Sequence, residues 1–167
     1  MKKSIAIILS ALFIFALSGC GEKTVSNFNS VYVSDTKATI TIGMDRDQVK
    51  GLLGEPETAG QTLTGDSYFK GTLLIKYGND QVSHITVSGD SSYSNNYQGA
   101  AGVKLGDSAA SVKTKLGEPS GSFYLFDKNG HQCGPVQDVA KYGFSIDEKS
   151  GTVAGFEIGQ MSEMGLS

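Results

Sequence analysis

From Leu73 to Tyr77 apolar Leu73, Ile75 and Tyr77 are spaced by Leu74 and Lys76, and a second run, Val82 to Val87, follows the turn Gly78-Asn79-Asp80. Two alternating runs joined by a turn of that composition predict a β-hairpin. The pattern returns in Tyr142–Ile146 and Val153–Ile158, joined through Asp147–Gly151. A short aromatic run precedes each hairpin, at Ser67–Phe69 and Phe123–Phe126, and predicts one more strand in each case. Successive strand residues point to opposite faces. Leu73, Ile75, Tyr77, Ile85 and Val87 are therefore expected to be buried, with Lys76, His84 and Thr86 opposite. In the later hairpin Tyr142, Phe144, Ile146, Phe156 and Ile158 are expected in the core, with Lys141, Ser145 and Glu157 outside.

A helical pattern stands ahead of each strand set, and it is the same pattern twice. Ile42-Gly43-Met44-Asp45-Arg46-Asp47-Gln48-Val49-Lys50-Gly51-Leu52-Leu53-Gly54-Glu55-Pro56 returns as Leu105-Gly106-Asp107-Ser108-Ala109-Ala110-Ser111-Val112-Lys113-Thr114-Lys115-Leu116-Gly117-Glu118-Pro119. In the first copy Asp45 is an N-cap with Gln48 three residues on, which makes a capping box, and Met44 with Val49 forms a hydrophobic staple. Val49, Leu52 and Leu53 form the apolar stripe. Gly54 is placed to take the left-handed conformation that ends a helix, and Pro56 prevents continuation. The second copy caps with Ser108 or Asp107, has no box partner, and keeps only Val112 and Leu116 in its stripe, so it is expected to be the weaker helix. Gly117 and Pro119 end it. Helices this short require a sheet to pack on. The expected class is α+β: two tandem repeats, each a short helix on an antiparallel sheet, over 38–89 and 103–160. A polar linker spans 90–102 and a tail covers 161–167. A unit of about 60 residues is marginal alone, a difficulty that one continuous curved sheet would relieve.

Gly43-Met44-Asp45-Arg46-Asp47-Gln48-Val49 resembles the helix start of the β-lactamase inhibitor protein-like fold. That family includes small bacterial lipoproteins, among them a component of the outer-membrane β-barrel assembly machinery. The Leu-Gly-Glu-Pro endings are similar to those of its lipoprotein members. The resemblance implies tandem helix-plus-sheet units presenting a concave binding sheet. It covers about Ile40 to Ile158, and its matching residues are caps and core positions, so no inhibitory or catalytic residue is carried over.

The N-terminus changes the picture more than composition does. Lys2 and Lys3 precede a stretch from Ile5 to Leu17 that is apolar apart from Ser10, and Leu17-Ser18-Gly19-Cys20 follows. Such a run is too short to span a bilayer core, which takes about 20 helical residues, but it suits a signal peptide. Leu-Ser-Gly-Cys looks like a bacterial lipobox. That implies a leader over 1–19, cleavage before Cys20 and diacylglyceryl transfer to its sulfur, with an ordinary secretory leader as the alternative. Residues 20–37 read as a polar tether that ends near Val31–Val33. With 14 Lys+Arg against 17 Asp+Glu, a net charge of −3, no basic surface for nucleic acid is expected.

Candidate chemistry is sparse. His131-Gln132-Cys133 holds a base and a thiol, but no third group stands near, and Cys133, the one thiol left after lipidation, reads as a buried small hydrophobe. Neither enzyme activity, metal nor cofactor is expected. The chain has 7 Tyr and 8 Phe, more than two small cores need, so Tyr124 and Lys141, with Lys76 and His84, are the candidates for protein binding on the open sheet face. The expected protein is a monomeric, lipid-anchored, extracytoplasmic module that binds an envelope or extracellular protein, inhibitor-like in fold. The alternative is a structural or assembly lipoprotein that scaffolds an envelope complex.

Overall fold

The computed structural model describes residues 23–60, 65–89, 95–133, 142–149 and 151–161. The leader and Cys20 therefore lie outside the described residues, as does Lys141. Strands Ser30–Val33 (β1) and Ala38–Thr41 (β2) precede helix Arg46–Leu53 (α1), and strands Asp66–Tyr68 (β3), Leu73–Gly78 (β4) and Gln81–Ser88 (β5) follow it. After Tyr97–Gln98 (β6) comes a one-turn 3-10 helix, then helix Ala109–Leu116 (α2) and strands Tyr124–Phe126 (β7), Gln132–Cys133 (β8), Tyr142–Lys149 (β9) and Thr152–Gln160 (β10). The class is α+β, with antiparallel sheets. The larger sheet has seven strands in the order β3-β4-β5-β10-β9-β7-β8, and the smaller has the order β2-β1-β6. One face of the large sheet is covered by both helices and the small sheet, and between them lies a core shared by Val31, Ile40, Val49, Ile85, Val112, Phe144 and Phe156.

Both hairpins stand where alternation places them. Leu73, Ile75, Tyr77, Ile85 and Val87 are buried, as are Phe144, Phe156 and Ile158; Tyr142 and Ile146 are partly buried against the same core. The second hairpin has a tighter turn than expected, because β9 continues to Lys149 and β10 absorbs a bulge between Val153 and Gly155.

Each helix begins by bonding to the start of a strand. Gly43 N–H donates to Val82 O at 2.7 Å and Val82 N–H to Met44 O at 2.8 Å; Gly106 N–H donates to Val153 O at 2.8 Å and Val153 N–H to Asp107 O at 2.9 Å. Gln48 Oε1 accepts from Asp45 N–H at 3.2 Å, completing the capping box of α1. In α2 the Ser108 hydroxyl accepts from Ser111 N–H at 3.1 Å. Asp107 is not the cap, since its carboxylate accepts from Lys104 N–H at 2.9 Å and pairs with Lys115. Gly54 and Gly117 end the helices at φ 87° and 88° with extended ψ, not in the left-handed helical conformation expected. A positive φ still favours glycine there.

Four expectations change. Leu52 is 43% exposed, because α1 turns only Val49 and Leu53 toward the sheet, whereas α2 buries both Val112 and Leu116. The stretch read as a tether belongs to the packed molecule from residue 23 onward. Val25 is buried, and β1 is the central strand of the small sheet. The linker is structured in its second half, where Tyr97 is 1% exposed and β6 pairs with β1. Finally, Tyr124 lies in the core, not on the open face.

Candidate functional site

The face of the seven-stranded sheet turned away from the helices carries Lys76 of β4, His84 and Thr86 of β5, Ser145 and Asp147 of β9 and Glu157 of β10, while the irregularities at Ser83 and between Val153 and Gly155 return Val82 and Val153 to the core. Lys76 stands opposite His84 in the β4–β5 ladder, and Glu157 stands between Thr86 on β5 and Ser145 on β9. His84 Nε2 lies 3.6 Å from Glu157 Oε2. The nearby His84 imidazole holds the Glu157 carboxyl below its ordinary range. Burial opposes this, and the charges of His84 and Lys76 add to the lowering. Two of the four expected site residues, Lys76 and His84, are thus brought together, and Glu157 completes their cross-strand group.

Beside this group the sheet is recessed. A cavity of about 330 Å³ is lined by Thr86, Ser88, Ser145, Asp147, Gly155 and Glu157. Gly155 sits just after the β10 bulge and faces Ser88, so no side chain fills the space between β5 and β9 at that level. Three hydroxyls and two carboxylates around a shallow floor can accept and donate hydrogen bonds to a polar surface. Glu157 was visible in the sequence from its place between Phe156 and Ile158, but its pairing with His84 was not. Those two residues are far apart in the chain and meet only because β5 pairs with β10.

Tyr124 is 4% exposed. Its ring meets Phe144 edge-on at 6.4 Å, and its register partner is that same core residue. Burial pushes its phenol pKa up. The face assignment of β7 is therefore shifted by one residue: Tyr124 and Phe126 point into the main core. Leu125 points the other way, into a small cluster with Cys133 and Met161 that Phe123 borders.

At the β7–β8 turn, Asp127 accepts from the backbone N–H groups of Asn129 and His131 at 2.8 and 2.9 Å, and its other oxygen lies 3.1 Å from His131 Nδ1. Burial works against the Asp127 charge, but these bonds outweigh it and lower the pKa. Cys133 is buried and disulfide-bonded, with its partner outside the described residues. It is thus not the lone thiol expected from the sequence, and His131 has no thiolate beside it to activate. Among the described residues no group of three or more His, Cys, Asp or Glu side chains is arranged to hold a metal ion.

A second polar constellation, partly buried, lies at the start of α1. Arg46 donates to both oxygens of Asp66, at 3.0 and 2.5 Å, and lies 5.0 Å from the centre of the Tyr77 ring. Asp66 is fully buried and also accepts from Gly60 N–H at 3.1 Å. Arg46 also donates to Gly60 O at 3.1 Å, so the group clamps the chain around Gly60 to the start of α1. No family model, curated protein or solved structure matches this chain.

Proposed function

We propose that this protein is an extracytoplasmic protein that recognises another envelope protein through the open face of its seven-stranded sheet. The observation that carries the reading is the contrast between the two faces. The aromatic side chains Tyr68, Tyr77, Tyr97, Tyr124, Phe126, Phe144 and Phe156 are buried. Across β4, β5, β10 and β9 the open face keeps charged and hydroxyl groups around a recess, with Lys76, His84 and Glu157 arranged on three strands, whereas Leu125, Cys133 and Met161 form a separate apolar cluster beside β7 and β8. Groups of this kind, fixed on rigid strands and not needed by the core, suit recognition.

We read the chain further as two copies of one inhibitor-like unit. In support, Gly43 and Gly106 make matching bonds to Val82 and Val153. In addition, β5 and β10, the last strands of the two copies, pair with each other so that one sheet runs through both.

Recognition is tested by cross-linking in intact cells, comparing the native chain with Lys76→Glu and Glu157→Lys. Loss of one discrete cross-linked partner by at least tenfold, with unchanged thermal unfolding, is the expected result. A partner lost instead on Leu52→Asp, on the helical side, would make the open face irrelevant and favour scaffolding through α1.

A further inference from the structure

The recess on the open face owes its shape to one missing side chain. Gly155 on β10 is opposite Ser88 on β5 and Asp147 on β9, and in the next row of that face Glu157 stands between Thr86 and Ser145. The φ of Gly155 lies outside the left-handed region, so the course of the backbone does not call for glycine there. A Cβ at position 155 would stand 3.0 Å from Val87 O and 3.6 Å from Asp147 Cβ, pressing into the space between β5 and β9.

The chemistry of that space is one-sided. Thr86, Ser88 and Ser145 bring hydroxyls to it, Asp147 and Glu157 bring carboxylates, and among the described residues no Lys or Arg lines it. Asp147 is exposed and has no ion-pair partner among the described residues. Glu157, held below its ordinary range, is ionised at neutral pH. Lys149, farther along β9, pairs in register with Thr152 at the turn beyond the recess. Asp147 and Glu157 are diagonal neighbours on paired strands, which sets their Cα atoms about 7–8 Å apart. A cation seated over Gly155 would thus meet a carboxylate from each of two strands, with hydroxyls beside them. A guanidinium carries five N–H donors in a planar fork, whereas an ammonium carries three on a single point. Five acceptor-bearing side chains around a shallow floor match the fork. We propose that the recess takes an arginine side chain of the partner protein. This rests on the reading of the open face as a recognition surface and adds the chemistry of the group recognised. Arginine is among the residues that most often anchor an interface, and the bare backbone at Gly155 leaves room for its flat head.

The probe is N-acetyl-arginine amide, and N-acetyl-citrulline amide is its uncharged counterpart of nearly the same shape. Each is titrated into isotopically labelled protein while the backbone amide resonances of Ser88, Asp147 and Gly155 are followed. The arginine compound should shift these three and bind about tenfold more tightly than the citrulline compound, the difference expected for one charge-assisted hydrogen bond. Asp147→Asn, a surface change that should leave thermal unfolding unaltered, should cut that preference to about threefold or less. Equal binding of the two compounds, an undiminished preference in Asp147→Asn, or shifts confined to other parts of the chain overturns the inference. Cross-linking in intact cells separates it from the broader reading. A partner lost on Lys76→Glu but kept by Asp147→Asn overturns the arginine site and leaves recognition through the open face standing. A partner kept by Lys76→Glu, Glu157→Lys and Asp147→Asn alike overturns both.

Discussion

Removing the Tyr124 ring should destabilise the protein by about 3 kcal/mol, as expected for an aromatic truncated in a packed core, because its face is occupied by Phe144. Denaturant midpoints of Tyr124→Ala check this, and a midpoint like the native one would return the residue to the open face. The two helix caps should be worth about the same. Asp45→Ala and Ser108→Ala are each expected to cost about 1 kcal/mol, since Ser108 has its own bond and Asp107 is committed to Lys104 and Lys115. Glu157 gives a pH signature. Its folded-state pKa lies below the ordinary 4.5, so its contribution is complete above that value and is lost as pH falls through the folded-state pKa. Glu157→Gln should flatten the fall in stability below about pH 4.5, read as a smaller change in thermal midpoint between pH 5 and pH 3.

At the scale of elements, α1 and α2 differ in what lies beneath them. Arg46 follows the cap of α1 as Ala109 follows the cap of α2, and Asp66 faces Ile75 as Tyr124 faces Phe144. One site is thus an ion pair and the other apolar. Removing one partner of a buried pair commonly costs about 3–5 kcal/mol, while replacing both with apolar groups can be close to neutral. Arg46→Ala alone should therefore destabilise more than Arg46→Ala combined with Asp66→Leu. A double-mutant cycle on unfolding free energies measures the coupling. If the double variant loses as much as the two singles together, the pair contributes no coupling.

For the whole molecule, the shared core and the β5–β10 ladder predict one cooperative transition, not two. Val49 and Ile85 stand in the same cluster as Val112 and Phe156. Calorimetric and van't Hoff enthalpies should agree, whereas separate transitions would mean that the two helix-and-sheet halves hold together only weakly.

Much of the fold was legible because its signals are local. Period-2 alternation placed both hairpins and gave the open face to Lys76, His84 and Thr86, and the paired Gly-to-Pro motifs placed both helices between their caps. Those patterns rest on backbone geometry within a few residues. What escaped was set by contacts distant in sequence. Three residues of β7 carry too little alternation to orient themselves, and only pairing with β9 turned Tyr124 inward. Leu52 fits the stripe of α1 but not the angle at which α1 meets the sheet. The polar run after Cys20 lacks the composition of a core segment, yet Val25 finds one beside Gly130. The Arg46–Asp66 pair, like the group of Lys76, His84 and Glu157, exists only because strands far apart in the chain lie side by side. The sequence by itself thus determined the two helices, the two hairpins and most of their faces; the tertiary structure alone decided that Ala38–Thr41, Tyr97–Gln98 and Gln132–Cys133 are strands and which strands are neighbours, and charge pairing and burial across a sheet depend on those neighbours.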